Sequence, residues 1–103
     1  MPRKYETLLL FSPELTTEGR QEIVENLSGV ISNHSGQVLT IDDWGMRELA
    51  YPVQKQTRGS YMRMEFGLDA SYVNEFERKI RIADGILKYV IVKLEDSFEA
   101  EEA

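Results

Sequence analysis

Residues 59–67, GSYMRMEFG, alternate strictly between two kinds of side chain: Met62, Met64 and Phe66 fall on one parity, Tyr61, Arg63 and Glu65 on the other. A period of two belongs to a strand whose two faces meet different surroundings, so the chain must hold a sheet with one face turned to a core. The flanking sequence says what covers that face. From Thr16 or Thr17 as N-cap to Asn33, apolar residues recur at Ile23, Leu27, Val30 and Ile31, the spacing of an amphipathic helix, and "NHSG" ends it. Asp69 is placed to cap a second helix reaching Ile82, with Val73, Phe76 and Ile80 along one side. Short apolar or β-branched runs at residues 4–11, 37–42 and 85–94 supply three more strands.

The resulting order is β-α-β-β-α-β in 103 residues. It predicts an α+β fold of the ferredoxin-like, split βαβ kind: a four-stranded antiparallel sheet with two helices on one face. A chain this short folds around one core, so residues 1–94 are expected to form a single domain and residues 95–103, "EDSFEAEEA", a short acidic tail. Both parities of the first and last strands are apolar. Leu8 and Leu10, with Tyr61, Val90 and Val92, are therefore expected to leave an apolar stripe on the uncovered face, which suits a protein partner.

Several function classes are excluded by composition or spacing. There is no cysteine, so disulfides, thiolate metal sites and cysteine nucleophiles are ruled out. The seven glycines include no GxGxxG or P-loop spacing, and no ligands are spaced to converge on a metal. No cofactor and no catalytic residue are expected. The single histidine, His34, closes the first helix, where the helix dipole and the last carbonyls account for it. No signal-peptide core and no apolar run of membrane-spanning length occurs, which predicts a soluble, cytoplasmic chain.

The formal charge of −6 argues against nucleic-acid binding only until it is divided along the chain. The acidic tail takes five carboxylates, leaving 12 bases against 13 acids in the body. Between Trp44 and Met64 stand Arg47, Lys55, Arg58 and Arg63 against Glu48 alone, a local excess of +3. That local field is what a phosphate backbone meets. In the same region Tyr51 precedes Pro52, which cannot donate to a sheet ladder, so "LAYP" belongs on a sheet edge or in a connection. Trp44 is expected to pack over the end of the sheet.

The stretch "DWGMRELAYPVQK", residues 43–55, closely resembles the signature of the bacterial family of small-subunit ribosomal protein number six. The likeness continues through "KYETLLLFSPEL", "RGSYMRMEF" and "KIRIADGILKYVIVK", and so covers nearly the whole chain. It implies a non-catalytic, structural component of the small ribosomal subunit. It also implies binding to the central domain of the small-subunit ribosomal RNA together with the eighteenth small-subunit protein. Within the matching motif RNA contact is carried onto Arg47 and Lys55, and onto Arg3 and Lys4 at the start of the first strand. Arg58 and Arg63 join them on charge and strand parity.

Two other readings share this element order. A generic RNA-recognition module needs aromatics on its third strand, where this chain has Ser60, Met62 and Glu65. A small-molecule sensor or dimerising ferredoxin-like domain would use the open apolar face but would leave the +3 segment without a role.

Overall fold

The computed structural model describes residues 2–95. The elements run β1 (Pro2–Phe11), α1 (Thr17–Asn33), β2 (Gln37–Val53), β3 (Gln56–Asp69), a 3-10 turn at Ala70–Tyr72, α2 (Val73–Ile82) and β4 (Ile86–Glu95). The sheet is antiparallel throughout, in the order β2-β3-β1-β4. This is the expected ferredoxin-like arrangement. Of the acidic tail, Glu95 is the last residue of β4, opposite Lys4; residues 96–103 lie outside the described part.

Both helices cover one face of the sheet. Onto it β1 sends Tyr5, Leu9 and Phe11, and β3 sends Met62, Met64, Phe66 and Leu68. From above, α1 adds Ile23, Leu27, Val30 and Ile31, and α2 adds Phe76 and Ile80. Phe66 is the hinge of this packing, with its ring centroid 5.7 Å from Tyr5 and 4.5 Å from Phe76. Thr7 and Ser60 are buried polar residues on this face; the Thr7 hydroxyl donates to the Val90 carbonyl at 2.9 Å and the Ser60 hydroxyl accepts from Arg20 Nη1 at 3.3 Å, so their burial leaves neither unsatisfied.

The start of α1 follows its cap, whereas α2 starts at Val73 without a side-chain cap. Thr16 Oγ1 accepts from the Gly19 amide at 3.0 Å, one of the four amides a helix start leaves open. Asp69 caps as expected, but what it caps is the 3-10 turn: its carboxylate accepts from the Ser71 amide and hydroxyl. These bonds favour the charged form, the backbone amide most, and hold the Asp69 pKa down to about 2. His34 does close α1, and it does more than the sequence reveals. Its ring stacks on Tyr72 with centroids 3.8 Å apart, and Nε2 lies 2.8 Å from Glu75 Oε2, tying α1 to α2.

The second strand differs most from expectation. It does not stop at Asp42 but continues to Val53, so the whole of "DWGMRELAYPV" is strand. Pro52 is tolerated because β2 is an edge of the sheet. The register slips between Asp43 and Gly45, leaving Trp44 as the extra residue of a bulge, and Gly45 supplies the required positive φ of 77°. The Asp43 carboxylate accepts from the Gly45 amide at 2.9 Å and closes this kink. Pairing of β1 with β3 begins only at Ser60, so the hairpin arms Arg47–Val53 and Gln56–Gly59 reach past the end of β1.

Candidate nucleic-acid interface and the open sheet face

Strand register sets two zones on the face opposite the helices, and the hairpin beyond the end of β1 forms a third. Across the middle of the face runs an apolar band that touches all four strands. Trp44 of β2 lies beside Tyr61 of β3, ring centroids 6.4 Å apart. Tyr61 stands opposite Leu10, and Leu8 stands between Arg63 and Val90. Val90, Val92 and Leu94 of β4 are each 40–45% exposed. Leu8, Tyr61, Val90 and Val92 are thus brought together as expected. Leu10 is not part of the accessible band, being only 2% exposed. It fills the space left by the missing side chain of Gly59, where an added Cβ would fall 2.5 Å from Leu10 Cδ1 and 2.8 Å from the Phe11 carbonyl oxygen.

Trp44 also departs from expectation: at 44% exposure it packs over no core. Two residues on from Asp42, which pairs with Arg63, Trp44 has the parity of the open face, and its ring lies there beside Tyr61.

The second zone is ionic. Arg63 meets Glu6 of β1, Glu65 of its own strand at 2.7 Å and Asp42 of β2 at 3.4 Å, and Lys4 reaches Glu65 at 3.5 Å. Two cations therefore face three carboxylates. The bonds from Glu65, then Glu6, raise the already high Arg63 pKa, and Arg63 holds Glu65 below the usual carboxylate range. Arg63 and Lys4, expected as phosphate contacts, are instead engaged within the sheet. Glu65 shares strand and parity with Arg63 and was visible in the sequence. Glu6 and Asp42 were not, because they come from β1 and β2 and meet Arg63 only through the register.

The third zone is the protruding hairpin. Arg47, Lys55 and Arg58 are exposed there and form no ion pair among the described residues. Arg58, opposite Glu48 in the ladder, has the parity of Met62 and stands on the other side of the hairpin from Arg47, which lies opposite Gly59. Arg3 sits apart, half-buried at the start of β1 opposite Leu68. The structure thus gathers three of the six expected cations at one end of the molecule and separates them from the other three.

No cluster of three or more potential metal ligands occurs among the described residues, and no described helix is long and apolar enough to cross a membrane. What this geometry defines is a small ferredoxin-like domain, with an open apolar sheet face bounded by an acidic network and a basic hairpin. The family model for ribosomal protein S6 matches residues 4–93, and this chain belongs to that family, whose members are components of the small ribosomal subunit in the cytoplasm.

Curated relatives agree along the full length. The chain is 56% identical over 101 residues to the small ribosomal subunit protein bS6 of Solidesulfovibrio magneticus, covering 98% of this chain and 99% of the relative. It is 39% identical over 94 residues to that of Caldanaerobacter subterraneus, covering 91% and 99%. Among solved structures, the crystal structure of 30S ribosomal protein S6 from Thermotoga maritima superposes with a TM-score of 0.83 at 26% identity, over 90% of this chain and 88% of that one. An uncharacterized protein of the same organism shares the fold at a TM-score of 0.59 and 15% identity, over 92% of this chain and 100% of the other.

Proposed function

We propose that this chain acts without catalysis, binding the central domain of small-subunit ribosomal RNA together with the eighteenth small-subunit ribosomal protein. The observation that carries this reading is the set of exposed cations on the hairpin, Arg47, Lys55 and Arg58, with no ion pair to occupy them among the described residues. Guanidinium forks and an ammonium group in that state are matched by phosphate oxygens. Arg3 is assigned to the RNA side with them. Lys4 and Arg63 are not, because their carboxylate partners would have to be given up first.

The protein partner is assigned to the apolar band of Leu8, Tyr61, Val90 and Val92, to which the exposed Trp44 and Leu94 are added. Beside it the ionic zone carries one more carboxylate than cations, a field that favours a basic partner. With three free hairpin cations and a net acidic chain, this protein alone binds RNA weakly, and the basic partner supplies most phosphate contacts. Titrating a central-domain RNA fragment at physiological salt, with and without the partner, tests this. Weak binding alone and tight binding by the pair are expected; tight, partner-independent binding refutes the division of labour, and no binding by the pair refutes the assignment.

A further inference from the structure

The hairpin that carries the free cations ends in a turn built against local preference. Gln54 and Lys55 are the two residues between the paired Val53 and Gln56, and both have positive φ, 48° and 67°. Two-residue hairpin turns of this kind ordinarily place Asn-Gly or Asp-Gly there, because a side chain on a left-handed backbone is strained. Such strain persists only where surrounding structure holds it. Here the holding contacts come from the far edge of the sheet. Gln54 Nε2 donates to the Leu87 carbonyl at 2.8 Å, and Lys88 Nζ donates to the Tyr51 hydroxyl at 3.3 Å while lying 5.8 Å from the centre of the Tyr51 ring. Since β2 and β4 are the two outer strands, these contacts cross the end of β1. Where the tip meets β4, Gln54 lines a cleft of about 320 Å³ together with Ile86, Leu87 and Lys88.

We propose that Gln54, assisted by Tyr51, is a positioning residue that fastens the hairpin tip to β4, so that Lys55, Arg47 and Arg58 are presented to RNA in one fixed arrangement. This rests on the assignment of the hairpin to RNA. An unfastened two-stranded tip samples many orientations, and RNA must then order it on binding; fastening removes that cost beforehand. Gln54 itself touches no phosphate. Its loss therefore weakens binding without removing a charge contact, and that separates it from its neighbour Lys55.

Gln54→Asn is the decisive variant. Asparagine tolerates the left-handed backbone and keeps the amide, but is one methylene too short to reach Leu87. Binding of a central-domain RNA fragment is measured in the presence of the protein partner across a salt series, with Gln54→Gly and Lys55→Ala in parallel. Both Gln54 variants are expected to bind about three- to tenfold more weakly, the worth of one hydrogen bond, at a salt slope equal to the parent's. Thermal unfolding should stay within about 4 °C of the parent. Lys55→Ala should lower the slope. Parental affinity in both Gln54 variants overturns the proposal, and a slope reduced as in Lys55→Ala overturns it by making Gln54 part of the phosphate contact. If instead the parent with its partner shows no binding, the underlying assignment fails, and this inference with it.

Discussion

The two faces of the sheet are built from the same strands and carry side chains of the same kinds, yet they differ in what closes over them. On the covered face Phe66 is 0% exposed between Tyr5 and Phe76; on the open face Trp44 is 44% exposed beside Tyr61. An aromatic residue in this chain is therefore a fold residue or a surface residue according to its strand parity, not its size. Arginine shows the same thing. Arg63 is held by three carboxylates, whereas Arg47, on the same face, forms no ion pair among the described residues. A run of positive charge in the sequence therefore overstates the charge available at the surface.

The largest test of this contrast pairs two aromatic truncations. Phe66→Ala is expected to cost about 3–5 kcal/mol of unfolding free energy, since it empties the centre of the core. Trp44→Ala should cost less than about 1 kcal/mol, in the range of surface changes, and should lower affinity for the protein partner. Denaturant unfolding of both variants reads the difference, and a Trp44 loss as large as that of Phe66 would erase the distinction between the faces.

Next in size is the bulge beside Trp44, where the pairing shifts between Asp43 and Gly45. Gly45→Ala meets no neighbouring atom, because nothing lies within 4 Å of the added Cβ, so any loss comes from the backbone alone. At a φ of 77° that loss is expected to be about 1–2 kcal/mol. A neutral Gly45→Ala would mean that the bulge relaxes freely and that its positive φ is not held by the strand.

The ionic zone sharpens the arginine comparison through pH. Arg63 depresses the folded-state pKa of Glu65 below its ordinary 4.5. The linked stability is fully present above that value and is lost as the pH falls through the lower folded-state pKa. Arg63→Met should therefore lower the unfolding midpoint at pH 7, with the deficit narrowing as the solution is acidified below about 4.5. A deficit independent of pH would show that Arg63 acts by packing its stem and not by charge.

The smallest effect on stability, and the clearest on binding, belongs to the hairpin. The double variant Arg47→Ala with Lys55→Ala should unfold within about 0.5 kcal/mol of the parent. It should lower the slope of log affinity against log salt by about 0.7–0.9 for each phosphate that the variant no longer neutralises. Retention of the parental slope would move the RNA interface elsewhere.

The fold was legible in the chain because short-range regularities set it. The alternation at Met62, Met64 and Phe66 chose the core face of β3, the 3.6-residue spacing from Ile23 to Ile31 made α1, and Thr16 marked its cap, while Asp69 marked the 3-10 turn that precedes α2. These patterns act between residues a few positions apart, so they can be read along the chain, and with the element order they sufficed for the ferredoxin-like fold. Tertiary structure decided which charges and rings remain available. Glu6, Asp42 and Arg63 are far apart in the chain and meet through cross-strand register; Leu10 is enclosed because a glycine lies beside it on the next strand; Gln54 reaches Leu87 across the end of a strand between them. Each of these depends on which strands become neighbours and where one is bulged. Pairing across a sheet is settled by the packing of the whole domain, which no window of sequence contains.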